Sequence, residues 1–580
     1  MRDLRRLWRY IAPYKIIFIL AMLLLLATVG FNAALPYVSG LPTSEIAKNI
    51  SQGEKLNFPY IFRCLIWIFF VGLGYSICQL GTGFCMTHVV QEAMSDLRRD
   101  LTHKINLLPV AYFDQHQQGD LLSRVTNDID ALSNALQQSF TAIVNAVLSI
   151  AFAVLMMFYI SPKIAMFAII MIPASLVISR IIVKISQPYF KQQQYFLGRL
   201  NGYVQENMTG FGVLKAFGRE KETLAGFKKV NQELYRYGFK AAFISGLMSP
   251  LVNLTAYSAY IGVAVLGCFS VIGGTMLVGQ VQAFVQYVWQ VSQPMGQITQ
   301  LSAVLQSASA SIRRIFEILD EAPEKEIEQE EQLPEPVKGA IHFDHVSFSY
   351  DPDEPLIEDL NVKVAPGQTV AIVGPTGAGK TTLINLLMRF YDPDKGAIRI
   401  DGVDAKHCKR KTIRALFGVV LQDAWLYNDT IMENIRFGNL NASDYEVVDA
   451  AKTANVDHFI RTMPDGYEMC LNEESTNISL GQKQLITIAR AIIADPKILI
   501  LDEATSSVDT RLEELIQEAM DKVMEGRTSF VIAHRLSTIK NADLILVMNH
   551  GHIIEQGTHT GLLEKDGFYA QLYNSQFQET

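Results

Sequence analysis

The sequence predicts an α-helical six-helix transmembrane domain fused to an α/β P-loop nucleotide-binding domain, in that order along one chain. Three observations predict it. The long apolar runs all fall before about residue 305, after which the composition is that of a soluble domain. The stretch GPTGAGKTT, Gly374 to Thr382, lies between a strand-like run and a helix-like run, the context that a phosphate-binding loop requires. KILILDEATSSVD is a continuous aliphatic run ending in Asp502 and Glu503, as in a parallel strand buried on both faces with carboxylates at its carboxyl edge.

A chain of 580 residues is too long for one core. The divisions fall at a transmembrane domain over 1–318, a linker over 319–339 and a nucleotide-binding domain over 340–580. The net charge of −8, with no basic stripe interleaved with aromatics, gives no nucleic-acid partner. Cys64, Cys78, Cys85, Cys268, Cys408 and Cys470 show no close metal-ligand spacing and are expected to be inert packing residues. No small-residue cleavage site follows the first apolar run, which is therefore expected to stay as a membrane anchor.

A bilayer core takes about 20 mostly apolar residues per helix. Six stretches qualify, roughly 16–38, 59–86, 138–160, 162–183, 243–272 and 275–305, and an even count returns both ends to one side. MRDLRRLWRYIAPYK carries Arg2, Arg5, Arg6, Arg9 and Lys15 against Asp3, and 184–240 is also basic. The positive-inside rule puts both in the cytoplasm, and the nucleotide-binding domain with them. The 39–58 loop, SPK at 161–163 and GGT at 273–275 then face outward.

The inner segments 87–137 and 184–242 are expected to carry the membrane helices into the cytoplasm, because Leu97, Leu101, Ile105 and Leu108 recur at helical spacing among charges. Each has a break, at FDQHQQGDLLSRVTNDID and at KAFGREKETLAGF, fitting either a short docking helix or a solvated turn. Asn32, Gln79, His88, Asn145 and Asn253 are scattered through the apolar runs, whereas Gln282, Gln286, Gln290, Gln293 and Gln297 share one helix face. Such amides either bond a neighbouring helix or line a cavity. The shared face suits a central pathway with Tyr257, Tyr260, Tyr287 and Trp289 as aromatic walls. No Asp or Glu lies mid-span, which argues against a proton-coupled carrier.

LDEAPEKEIEQEEQLPEPVKG, 319–339, is acidic and proline-bearing, as an exposed linker should be. In the loop beyond it, Gly374, Pro375, Thr376, Gly377, Ala378, Gly379, Lys380, Thr381 and Thr382 offer backbone N–H groups to nucleotide phosphates. Lys380 reaches the β and γ oxygens, and the Thr381 hydroxyl ligates Mg2+. Asp502 would hold the metal through water and Glu503 would act as general base on the attacking water. His534, in VIAHRLST after another strand, would contact the γ-phosphate.

Together these residues resemble the ATP-binding cassette (ABC) transporter family, exporter type, with one membrane half and one nucleotide-binding half per chain. The resemblance covers nearly the whole chain, with its motifs in the family's order. It implies an ATP hydrolase coupled to transport, using ATP and Mg2+, in a bacterial cell membrane. It also implies that Tyr350 stacks on adenine, that Gln422 in VVLQDAWLY senses Mg2+ and the membrane domain, and that tips near 113–120 and 215–222 are coupling helices. Ser479, Gly481 and Gln482 resemble the signature turn, which in this family reaches the γ-phosphate held by the other subunit, and Ser506–Asp509 resemble the dimer-contact loop. A second half-transporter is then required, and alternating access would export amphiphilic drugs or lipids. The alternative on the same scaffold is a nucleotide-gated channel or a regulatory subunit.

The family's signature is Leu-Ser-Gly-Gly-Gln, whereas this chain has Ile478-Ser479-Leu480-Gly481-Gln482. The β-carbon of Leu480 is expected to restrict the backbone where glycine allows left-handed angles and close approach to phosphate. CLNEEST, just before it, also departs from the Gly-Glu-x-Gly of many homodimeric exporters, while Glu503 is intact. An intact base beside an altered signature implies a heterodimer, in which a different chain supplies the working signature.

Overall fold

Uncharged runs of Leu, Ile, Phe and Ala leave the backbone no hydrogen-bond partner in lipid but itself, so the first half of the chain is helical. The computed structural model describes residues 2–325, 327, 330–421, 424–472, 477–502, 510–533 and 536–577. It has two units: Met1–Leu107 with His116–Glu321, and Leu108–Gln115 with Ala322–Thr580.

In the first unit a basic helix, Arg2–Ile11, precedes α1 (Lys15–Gln52), α2 (Phe58–Asn106), α3 (Thr141–Ile160), α4 (Pro162–Ile169), α5 (Met171–Thr209), α6 (Glu220–Gly246), α7 (Met248–Ile272) and α8 (Val278–Asp320). Among the described residues, four helical stretches are long and apolar enough to cross a membrane: Arg5–Gln52, Phe58–Asn106, Gln118–Ile160 and Glu220–Ile272. The run at 162–183 is helical but divided at Ile170 between α4 and α5, and the run at 275–305 falls mostly on α8, whose glutamines lower its hydropathy. Leu97 and Leu101 are buried on the long continuation of α2. Short helices at Val110–Gln115 and Phe211–Ala216 fall a few residues before the expected tips.

Small residues let α1 and α8 touch through their backbones. A Cβ added at Gly40 would overlap the Gly279 carbonyl, and one added at Gly279 would overlap that of Gly40. The Gly279 N–H donates to Ser44 Oγ at 3.0 Å. Near the end of α8, buried Asp128 accepts from Ser311 Oγ at 2.8 Å and from Arg314 Nε at 2.7 Å. Pairing and hydrogen bonding of this kind are what a buried carboxylate requires.

The second unit holds two sheets. β1 (Ile341–Phe348), β2 (Ile357–Val364), β4 (Lys395–Ile400) and β5 (Val403–Asp404) form an antiparallel sheet in the order β2-β1-β4-β5. The larger sheet runs β10-β9-β3-β8-β7-β6, with β3 (Thr369–Val373), β6 (Phe417–Val420), β7 (Ile498–Asp502), β8 (Thr528–Ile532) and β9 (Leu544–Asn549) parallel, and β10 (His552–Gly557) antiparallel at one edge. Both faces of β7 and β8 are buried, which explains their unbroken aliphatic sequences.

The acidic linker is held rather than free. Glu324 meets Arg414 at 2.7 Å and Arg410 at 3.3 Å, while Glu330 accepts from Thr412 Oγ1 at 2.6 Å and pairs with Lys409 at 3.2 Å. Most of the described residues of 319–339 are exposed, as expected of a linker, while the basic strip Lys406–Arg414 supplies partners for its carboxylates.

Candidate functional site

The phosphate loop leaves the buried end of β3 at Val373 and closes on α9 (Lys380–Leu387). Gly377 and Gly379 take φ of +81° and +97°, angles that side chains disfavour. Gly374 lies against β9, where an added Cβ would overlap the Met548 carbonyl. Lys380 Nζ folds back onto the loop, donating to the carbonyls of Gly374 at 2.7 Å and Pro375 at 3.0 Å. Burial pushes its pKa below the ordinary lysine value, with the charge of Asp502 opposing. A half-buried ammonium hydrogen-bonded, among the described residues, to neutral carbonyls is a ready partner for phosphate oxygens. Thr381 is exposed at the start of α9 and Thr382 is buried behind it.

Asp502 closes β7 in register with Ile532 of β8, which is itself in register with Ile372 of β3. Loop and carboxylate therefore share the carboxyl edge of the sheet, two strand spacings or roughly 10 Å apart. Gln422, Glu503, His534 and the 506–509 loop lie outside the described residues. The strands before them, β6, β7 and β8, are successive neighbours in the order β3-β8-β7-β6. A pocket of about 80 Å3 over the loop is lined by Gly374, Pro375, Thr376, Lys380, Tyr569 and Tyr573. The two tyrosines come from the last helix, Phe568–Phe577, which no motif marked.

Tyr350 is half-exposed, and its ring meets Phe348 edge-on at 4.9 Å and Tyr391 at 5.0 Å. Its hydroxyl accepts from Asn385 Nδ2 on α9 at 3.3 Å. The sequence reading missed Asn385 and Tyr391, since only the fold brings them to Tyr350.

Ser479 caps α10 (Leu480–Ile493): its Oγ accepts from the Gln482 N–H at 3.3 Å, and Gln482 Oε1 accepts from the Ser479 N–H at 2.8 Å. This reciprocal box fixes the helix mouth, where the dipole favours an anion. Gly481 is buried in the first turn. Leu480 corrects an expectation. It is the first helical residue and is not left-handed, so its backbone bears no strain that glycine would relieve. What distinguishes it is a large side chain, 43% exposed, beside the cap.

In the first unit the glutamine face divides between both expected roles. Gln282 and Gln286 line an open cleft of about 570 Å3 with Thr43, Tyr260, Cys268 and Val285. Gln290 instead donates to the Asn32 carbonyl at 3.0 Å, and Gln280 caps α8. Gln293 is exposed, and the side chain of Gln297 lies outside the described residues. Tyr287 is not a pathway wall: it is fully buried and donates to the Ala33 carbonyl at 2.6 Å. Tyr257 and Trp289 pack edge-on at 5.2 Å. Cys268 and Cys470 are exposed, which corrects the packing role expected for them, whereas Cys64, Cys85 and Cys408 are buried.

Residues 18–295 match the ABC transporter transmembrane region, and residues 357–506 match the ABC transporter family. A fatty acid ABC transporter ATP-binding/permease protein of Mycobacterium bovis is 44% identical over 524 residues, 90% of this chain and 83% of that protein. The chain belongs to the ABC transporter family, as an exporter half-transporter. An ATP-dependent lipid A-core flippase of Syntrophus aciditrophicus is 32% identical, with 99% of this half-transporter and 94% of that protein covered. The structure of a bacterial Atm1-family ABC exporter with ATP bound superposes with a TM-score of 0.78 at 27% identity, covering 98% of this chain and 99% of that one. The half-transporter therefore binds ATP, hydrolyses it in step with transport, and acts, as ABC exporters do, as a dimer.

Proposed function

We propose that this half-transporter exports an amphiphilic lipid or drug across a bacterial cell membrane, paired with a different half-transporter, its amino terminus and nucleotide-binding domain in the cytoplasm. The cleft at Gln282 and Gln286 carries the substrate proposal: apolar walls accept a chain, while the two amides and the Tyr260 hydroxyl accept a polar head. The names of the fatty acid transporter and the lipid A-core flippase point to the same chemistry.

At the nucleotide site Lys380 exchanges the carbonyls of Gly374 and Pro375 for the β and γ oxygens, and the 374–382 amides hold the phosphates. Tyr350 stacks on adenine. The donor set fits Mg2+: an exposed Thr381 hydroxyl, and a carboxylate at Asp502 close enough to act on Lys380, with Gln422 completing it. When bound, that ion spreads the charge of the leaving phosphate. Glu503 takes the proton of the attacking water, and His534 contacts the γ-phosphate. Ser479, Gly481 and Gln482 cover the partner's nucleotide, as the partner's signature covers this one.

Inside-out vesicles given a fluorescent fatty acid or a cationic dye in the outer medium test the proposal, with and without a candidate partner chain. ATP-dependent uptake that needs the partner, and that Glu503→Gln abolishes while ATP binding persists, supports it. Vigorous ATPase activity from a stable homodimer contradicts the heterodimer, and ion conductance without uptake would favour a nucleotide-gated channel.

A further inference from the structure

We infer that Tyr391 is a positioning residue that carries base occupancy at Tyr350 to the helix Val110–Gln115, so that the base, beyond the phosphates, sets the state of that helix. The inference rests on the proposed stacking of adenine on Tyr350.

Tyr350 and Tyr391 meet perpendicular, at 90° and 5.0 Å, and both pack against Phe348, which is buried and cannot yield. Edge-to-face pairs have a preferred geometry, so a base that fixes the exposed Tyr350 ring also fixes the ring beside it. The Tyr391 hydroxyl then donates to Asp114 Oδ2 at 2.6 Å, a short bond to a charged acceptor. Burial raises the pKa of that hydroxyl, and the bond to Asp114 raises it further, so the proton stays on the tyrosine. From the other side Asn385, on the helix that the phosphate loop opens, donates to Tyr350. The ring cluster is thus bonded to both α9 and Val110–Gln115.

Val110–Gln115 groups with the nucleotide-binding unit, whereas the chain before it, to Leu107, and after it, from His116, belongs to the membrane unit. A reorientation of this helix is therefore passed on covalently. The one bond from α9 to the cluster is the long 3.3 Å contact of Asn385 with the Tyr350 hydroxyl, so filling the phosphate loop without a base leaves the exposed Tyr350 ring unstacked and sets the cluster far less firmly than a stacked base does.

Amide hydrogen exchange on the full chain in lipid nanodiscs tests the relay, using Mg2+ with either adenylyl imidodiphosphate or inorganic tripolyphosphate, which lacks a base. Both ligands should slow exchange over 374–382, but only the nucleotide should slow 108–115, by about tenfold, as one bond to a charged acceptor implies. Tyr391→Phe keeps the ring and should lose the effect at 108–115 alone. Asp114→Ala, at an exposed position, should do the same without disturbing the rings. Equal slowing of 108–115 by tripolyphosphate, or retention of the nucleotide effect in both variants, would overturn the inference. Should Tyr350→Ala leave nucleotide affinity unchanged, adenine stacking falls and the relay with it. Should Tyr350→Ala weaken affinity while Tyr391→Phe keeps the slowing, the relay alone falls.

Discussion

Gly379→Ala isolates what backbone angle contributes to the phosphate loop. Gly379 sits at φ +97° immediately before α9. A methyl group there would meet Gly551 Cα and Met548 Cε at 3.5 Å, ordinary van der Waals contact, so no steric clash is added. The whole effect is then conformational, about 1–2 kcal/mol for an L-residue held in left-handed space, or about 5- to 30-fold in an equilibrium constant. If the loop keeps its shape without nucleotide, that energy is lost from stability. If it relaxes, the strain is reimposed on binding and ATP affinity falls instead. Titration calorimetry with ATP and the unfolding transition of the nucleotide-free protein measure the two parts, which should sum to about 1–2 kcal/mol. Gly374→Ala should cost more than Gly379→Ala, because its Cβ would overlap the Met548 carbonyl. Unchanged affinity and unchanged stability in Gly379→Ala would refute the reasoning.

Because Leu480 already has helical backbone angles, Leu480→Ala and Leu480→Gly should raise turnover at the partner's site equally; a gain confined to glycine would restore the importance of angle. Ser479→Ala should cost the α10 cap about 1 kcal/mol in thermal unfolding, and Ser479→Thr should recover most of it. Gly279→Ala forces α1 from α8 at the Gly40 carbonyl and should destabilise by about 1–3 kcal/mol, with Gly40→Ala non-additive to it; additive losses would deny the contact. Burial pushes the His559 imidazole below its ordinary pKa, and Lys540 acts the same way, so below that ordinary value the unfolded chain binds the extra proton first. The His559 contribution to stability is therefore intact above about pH 6.5 and lost as pH falls through the lower folded-state value. Melting temperatures across pH 5–7 should slope less in His559→Gln, and an unchanged slope would exclude this residue.

The fold around the candidate nucleotide site was legible because its motifs are local in sequence. Gly374 to Thr382 supply loop, cation and hydroxyl within one turn, and the aliphatic run of β7 places Asp502 at a sheet edge. The membrane half was legible in composition but not in partners. The glutamine spacing marked one face of α8 without showing that Gln290 bonds Asn32 while Gln282 and Gln286 line a cleft. Tyr287 finds the Ala33 carbonyl 254 positions away, and Tyr391 finds Asp114 277 positions away, contacts that no local periodicity encodes. The exposure of the linker was legible from its acidic residues, but its ion-pair partners on Lys406–Arg414 lie in a different stretch. Leu480 misled because a glycine in a family's motif suggests a special angle, whereas a helix cap at Ser479 demands an ordinary one.

The most direct test of the composite nucleotide site is the ATPase rate of the reconstituted dimer with its nucleotide-binding domains held apart by a rigid crosslink. With Ser479 of this chain and the signature turn of the partner each kept from the opposite phosphate loop, ATP should still bind while hydrolysis and substrate movement stop together. Turnover at the unlinked rate under that restraint would contradict the account.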